Sequence, residues 1–145
     1  MRRIPPALPL RLSLGGYFLY SGLRKFEPEA PGRMEPLIRR GYPFAVDLVG
    51  FPRFFAAVRL FELTTALGLL LGRRTQLAGA ASTVFGAMLL VLLWRLPDTF
   101  HPGSRWRLTT KGMEQLKNVW IVGIGLALAL GGSDGGGARR RGKSS

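Results

Sequence analysis

Residues 53–96 read RFFAAVRLFELTTALGLLLGRRTQLAGAASTVFGAMLLVLLWRL. Two apolar blocks, Arg53–Gly72 and Gln76–Leu96, stand almost end to end with Arg73 and Arg74 at their junction. A hydrocarbon core about 30 Å thick is crossed by roughly 20 helical residues, and each block has that length. A junction this short leaves the two helices no arrangement but antiparallel neighbours.

Working outward, a third block runs from Leu8 to Phe26, and the Pro-, Gly- and charge-rich stretch Glu27–Pro52 separates it from the quoted pair. On the far side, the polar PDTFHPGSRWRLTTKG leads to a fourth block, Met113–Gly131. Its uninterrupted apolar part is Val119–Leu130, so Glu114 and Lys117 are expected at headgroup level, snorkelling toward water. The N-terminus has basic residues before an apolar run, as a signal peptide does. Pro5, Pro6, Pro9 and Arg11 interrupt it and no small-x-small site follows, so it reads as an uncleaved helix.

The expected fold is therefore all-α: an integral membrane four-helix bundle over residues 1–131, with spans at 8–26, 53–72, 76–96 and 113–131. Within the first connection, Met34–Arg40 has an amphipathic pattern and is expected as a short interfacial helix over the bundle mouth. Residues 132–145, GSDGGGARRRGKSS, read as a disordered basic cytoplasmic tail.

The chain carries 21 Lys and Arg against 8 Asp and Glu, a net charge of +13. These cations flank apolar blocks and do not line one polar helix face, so an anionic bilayer surface, not nucleic acid, is the expected counterpart. Arg2, Arg3, Arg73, Arg74, Arg139, Arg140, Arg141 and Lys143 would share one side, opposed there only by Asp134. The other side has basic residues spread over longer stretches with acids interspersed. The positive-inside rule then places both termini in the cytoplasm, with the chain multi-pass in the cell's inner membrane. There is no Cys, which removes thiol relays and Cys-ligated metal, and the single His101 makes no metal site by itself.

In lipid, helices associate through close packing and polar contacts, so small and polar residues should face inward. Arg11, Gly15, Phe18, Gly22 and Lys25 share one face of the first helix, with Leu14 and Ser21 at its edge. Gln76, Gly79, Ala80, Thr83 and Ala87 form a stripe on the third, and Asn118, Gly125 and Ala129 on the fourth. These stripes read as a bundle interior or as a ligand groove. Tyr17 and Tyr20 lie off the first stripe, able to bond a ligand carbonyl or to anchor at the interface. Trp94, Trp106 and Trp120 stand near span ends, where an aromatic belt is expected.

Arg59 and Glu62 project from neighbouring positions of the second helix. A charge inside the membrane costs several kcal/mol and usually faces a partner or a cavity. Arg59, roughly 9 Å inside the helix start at 1.5 Å per residue, can snorkel; Glu62, near mid-span, cannot easily do so. One reading is a local ion pair, extended by Arg11 or Lys25, that locks the helices in register. The other is a polar site that takes up a proton or binds a quinone headgroup. Candidate site residues are thus Glu62 as buried acid, Arg59 as its counter-charge, and Lys25, Asn118 and Arg11 as neighbouring polar groups. No nucleophile triad, phosphate loop or metal-ligand cluster is apparent, so no catalytic residue is assigned.

LRLSLGGYFLYSGLRKF, FELTTALGLLLGRRTQLAG and LKNVWIVGIGLALA resemble the DoxX-like superfamily of small four-helix membrane proteins. KFEPEAPGRMEPLIRRGYP, the Glu62 helix and KGMEQLKNVWIVG resemble its YkgB-like branch, which includes the inner-membrane protein for reactive chlorine resistance. Where that branch tends to open the last helix with Lys-Asp, this chain has Lys117-Asn118 and so lacks a carboxylate. The resemblance implies a partner-dependent membrane subunit in redox homeostasis or oxidative-stress resistance, itself not an enzyme. Partners would be the lipid bilayer and a redox protein or further copies of the chain. The alternatives are the membrane subunit of a quinone-linked oxidoreductase, with quinone as cofactor, or a small-molecule permeability factor.

Overall fold

The computed structural model describes residues 7–104 and 106–131. The expected basic tail and the N-terminal Arg2 and Arg3 lie outside the described residues. Within them the chain is all-helical: α1 Ala7–Arg24, α2 Ala30–Gly41, α3 Pro43–Val49, α4 Phe51–Leu70, α5 Thr75–Arg95, α6 Thr110–Leu116 and α7 Val119–Gly131. A 3-10 turn at Pro97–Thr99 and an isolated antiparallel bridge, Phe100 to Leu108, lie between α5 and α6. α5 and the α6–α7 run Thr110–Gly131 are long and apolar enough to cross a membrane. Charged residues dilute α1 (Arg11, Arg24) and α4 (Arg53, Arg59, Glu62).

Helix boundaries follow local chemistry. Pro31, Pro43 and Pro52 occupy first turns, where a missing N–H leaves no hydrogen bond unmade. Gly72 turns the chain between α4 and α5 at φ +67, and the Arg11 guanidinium fills the space where a side chain would stand. From there Arg11 donates to the Leu69 carbonyl at 2.9 Å and the Leu70 carbonyl at 3.4 Å. A cation on terminal carbonyls suits the negative end of the helix dipole. Arg11 is therefore the cap of α4, some way from Glu62, and not an extension of its ion pair.

α1 packs along α4 and α5 along α7, with thinner contact between α4 and α5 and between α1 and α7. On α1 the buried face is Leu14, Gly15, Phe18, Gly22 and Lys25. Gly15 lies against Leu69 and Leu70, and Gly22 against Glu62 and Leu63. On α5 the inward face is rotated from the expected stripe: Ala78, Gly79, Ser82 and Gly86 are buried, while Gln76, Ala80 and Ala87 are exposed. The reason is the opposing glycine on α7. A Cβ on Gly125 would stand 2.8 Å from the Gly79 carbonyl oxygen, and one on Gly79 would stand 2.7 Å from the Ala129 nitrogen. The backbones meet there, as small residues permit in lipid.

One apolar cluster joins Leu14, Phe18, Ala66, Leu69, Ala78, Ile121 and Leu128 across α1, α4, α5 and α7. A second, made of Ala30, Ile38, Val46, Phe51 and Phe55, joins α2 and α3 to the start of α4. The first connection thus holds two helices where one short amphipathic segment is expected from the sequence. The first turns of α4 rise past the end of α1 into this second layer. The expected final span lies within Thr110–Gly131, but its helix is interrupted: Lys117 and Asn118 form a turn between α6 and α7, where Asn118 and Ile121 donate to carbonyls three residues back.

The glycine crossing gives a matched test. Gly125→Ala is expected to lower the stability of the detergent-solubilised protein by about 1–3 kcal/mol, the usual range for overpacking. Gly123→Ala, on the same helix but facing open space, is expected to leave the thermal unfolding midpoint unchanged or slightly raised.

Candidate functional site

The face of α1 that carries Gly22 brings α4 close enough for Lys25 and Glu62 to meet. Lys25 donates to Glu62 Oε2 at 2.5 Å and to Ser21 Oγ at 3.1 Å, while Ser21 Oγ donates to Glu62 Oε1 at 3.0 Å. Glu62 is 2% exposed and Lys25 9%. Both carboxylate oxygens are occupied, as a buried charge requires. An ammonium has three N–H groups; two are used here, and the third has no protein acceptor among the described residues.

The partner of Glu62 is thus Lys25, and the expected Arg59–Glu62 pair does not form. Three residues apart on a helix leaves the two side chains about 60° apart around the axis. Glu62 turns in toward α1, whereas the Arg59 guanidinium stacks over the Phe26 ring, 4.1 Å from its centroid. Such stacking contributes about 0.5–2 kcal/mol, depending on desolvation. Glu62 is central in α4 yet level with the end of α1, because α4 begins in the α2–α3 layer.

Beside the pair is a cavity of about 330 Å³, within the range of small-ligand sites. α4 and α5 supply apolar walls with Phe54, Val58, Phe85, Met88 and Leu89, and α2 covers it with Met34, Leu37 and Ile38. Its polar lining groups are Lys25, Glu62, Ser21, Tyr17, Tyr42, Glu114, Gln115, Lys117 and Asn118. Asn118 is buried and its Nδ2 donates to Gln115 Oε1 at 3.1 Å. The α6–α7 break therefore falls at the cavity wall. Of the expected site residues, the structure gathers Glu62, Lys25 and Asn118 here and places Arg59 and Arg11 elsewhere. Ser21 and Gln115 are additions, while the α2 cover falls in Met34–Arg40, expected as a helix over the bundle mouth. Ser21 was legible as the polar position one turn before Lys25.

α2 is tied down at both ends. Glu27 accepts from Arg24 at 3.0 Å and from Arg33 at 2.6 Å, linking the end of α1 to α2. Those hydrogen bonds hold the Glu27 carboxyl below its ordinary range. At the other end Arg95 donates to the Gly41 carbonyl at 2.7 Å, and the Tyr42 hydroxyl donates to the Met88 carbonyl.

An apolar cavity with a charged, hydrogen-bonding end can hold an amphiphile whose head accepts a hydrogen bond from Lys25, Tyr17 or Asn118. The DoxX family model matches residues 7–94, which hold α1 to α5 except its last residue, including Lys25 and Glu62. No curated protein and no solved structure matches the chain.

Removing one member of a buried pair strands the other charge, at about 3–5 kcal/mol. Lys25→Met and Glu62→Gln are each expected to lose stability on that scale, and the double variant to recover most of it. Unfolding of all three in detergent checks the coupling; additive losses would contradict it. The Glu27 link has its own pH signature. A carboxyl with a depressed value stabilises the fold fully above the ordinary value of about 4.3 and loses that contribution as pH falls through the depressed one. Hydrogen exchange in α2, corrected for intrinsic pH dependence, should therefore quicken below about pH 4. Glu27→Gln should show the quick exchange already at neutral pH.

Proposed function

The chain belongs to the DoxX family of membrane proteins, and on that footing we propose that it is a four-helix integral membrane subunit whose cavity receives a quinone headgroup. It serves redox homeostasis or oxidative-stress resistance alongside a redox protein, as in the YkgB-like branch it resembles. The observation that carries this reading is the Lys25 N–H without an acceptor among the described residues, facing a cavity whose lining is mostly apolar. A quinone carbonyl is a neutral acceptor on an apolar ring, so it fits a donor without disturbing the Lys25–Glu62 charge balance. The sequence has no Cys, so this reading assigns electron transfer to the quinone and the partner. The chain's own role is binding and orientation.

In this reading α1, α4, α5 and α6–α7 all span the cytoplasmic membrane. The end bearing Arg11, Arg73 and Arg74 faces the cytoplasm, as the positive-inside rule favours. α2 and α3 then lie over the opposite mouth.

Native mass spectrometry of protein gently extracted from its own membrane tests the proposal. Wild type is expected to carry a quinone, or to travel with a redox subunit. Val58→Trp, which fills the cavity, is expected to lose the quinone while remaining inserted and abundant. A wild-type protein carrying only bulk phospholipid would contradict the reading.

A further inference from the structure

Three further cavities share lining residues with the central one, and they differ in chemistry. One lies between α1 and α2 and is bordered by Tyr20, Arg24, Lys25 and Arg33. Another lies between α2 and α6 and is bordered by Arg33, Arg40, Asp98, Lys111 and Glu114. Both have charged side chains on their walls. The third, of about 250 Å³, runs along the seam between α1 and α7. Ser13, Leu14 and Tyr17 form one side and Asn118, Ile121 and Ile124 the other. It meets the central cavity at Tyr17, Lys117 and Asn118, which line both.

The seam is open for two structural reasons. α1 is committed to α4 and α7 to α5, so contact between α1 and α7 is thin. The α6–α7 break also falls at the junction of the two cavities. Leu12, Val119 and Trp120 around it are exposed large apolar residues, as a lipid-facing flank requires.

We propose that the α1–α7 seam is the tail subsite of the ligand: its polar head sits beside Lys25 and its alkyl chain leaves laterally between Ser13 and Ile124 into the bilayer. The inference rests on the headgroup reading above and adds the direction of entry and the class of ligand, a head carrying one long apolar chain. Of the three, the seam has the most apolar lining, and it opens from the central cavity at Tyr17, Lys117 and Asn118, which makes it the route for the chain. Binding from lipid moves the chain from one apolar medium to another, so the seam selects by shape and not by chain hydrophobicity. Tyr17 and Asn118 stand where head meets tail and set the depth of the head.

The test uses a fully substituted benzoquinone bearing an alkyl chain with a photoreactive diazirine partway along it. The probe is added to the protein in lipid nanodiscs and mapped by peptide mass spectrometry. Labelling is expected near Ser13 and near Ile124, suppressed at least tenfold by excess tailless benzoquinone. Ser13→Trp, which plugs the seam from an exposed position, is expected to abolish that labelling. Competable labelling that falls on α2 or α6, or that persists unchanged in Ser13→Trp, would overturn the seam while leaving the headgroup site standing. Labelling that no tailless benzoquinone suppresses would overturn both.

Discussion

The contact between Lys25 and Glu62 organises the rest of the molecule. A carboxylate almost wholly buried in α4 is stable only with a cation and a hydrogen-bond donor in place, and α1 supplies both from consecutive turns, Ser21 and Lys25. This fixes the antiparallel register of α1 on α4. With that register set, Arg11 reaches the terminal carbonyls of α4 at the opposite end, and Gly15 and Gly22 fall where the two helices come closest. The same register makes α4 overshoot α1, and the overshoot provides the apolar surface on which α2 and α3 rest.

The cavity follows from what that arrangement leaves unfilled. α5 and α7 are pressed together through Gly79, Gly86 and Gly125, which draws α7 away from α1. α2, held at its two ends by Glu27 and by Arg95, covers the space without packing into it. Polar groups needed for the ion pair and for the broken α6–α7 backbone then line the same cavity as Phe, Leu, Val and Met side chains. The chain thereby acquires an amphipathic interior from requirements that are in the first place structural.

The helical class and the buried face of α1 were legible because length, periodicity and a mixture of glycine with one basic residue all coincide there. The α5 face was not. Ala, Gly, Ser and Thr surround that helix on most sides, and only Gly125, far along the chain, selects the row containing Gly79 and Gly86. Pairing Arg59 with Glu62 relied on proximity along one helix; the true partner lies on another helix, and its approach depends on a register that spacing alone does not reveal. The break at Lys117–Asn118 had a signal, the two polar residues ahead of Val119, but snorkelling explained Lys117 and an inward-facing stripe explained Asn118. The second helix of the first connection, α3, begins at Pro43 and is followed by Gly50, punctuation that reads as loop until Val46 is seen buried.

The most direct check on this account is the ionisation of Glu62, read by infrared difference spectroscopy of wild type against Glu62→Gln at neutral pH in lipid. A charged pair predicts a carboxylate stretching band that disappears in the variant, with no acid carbonyl band in wild type. An acid carbonyl band assigned to Glu62 would mean a neutral side chain beside Lys25. The register, the cavity's charged end and the headgroup site would then need a different foundation.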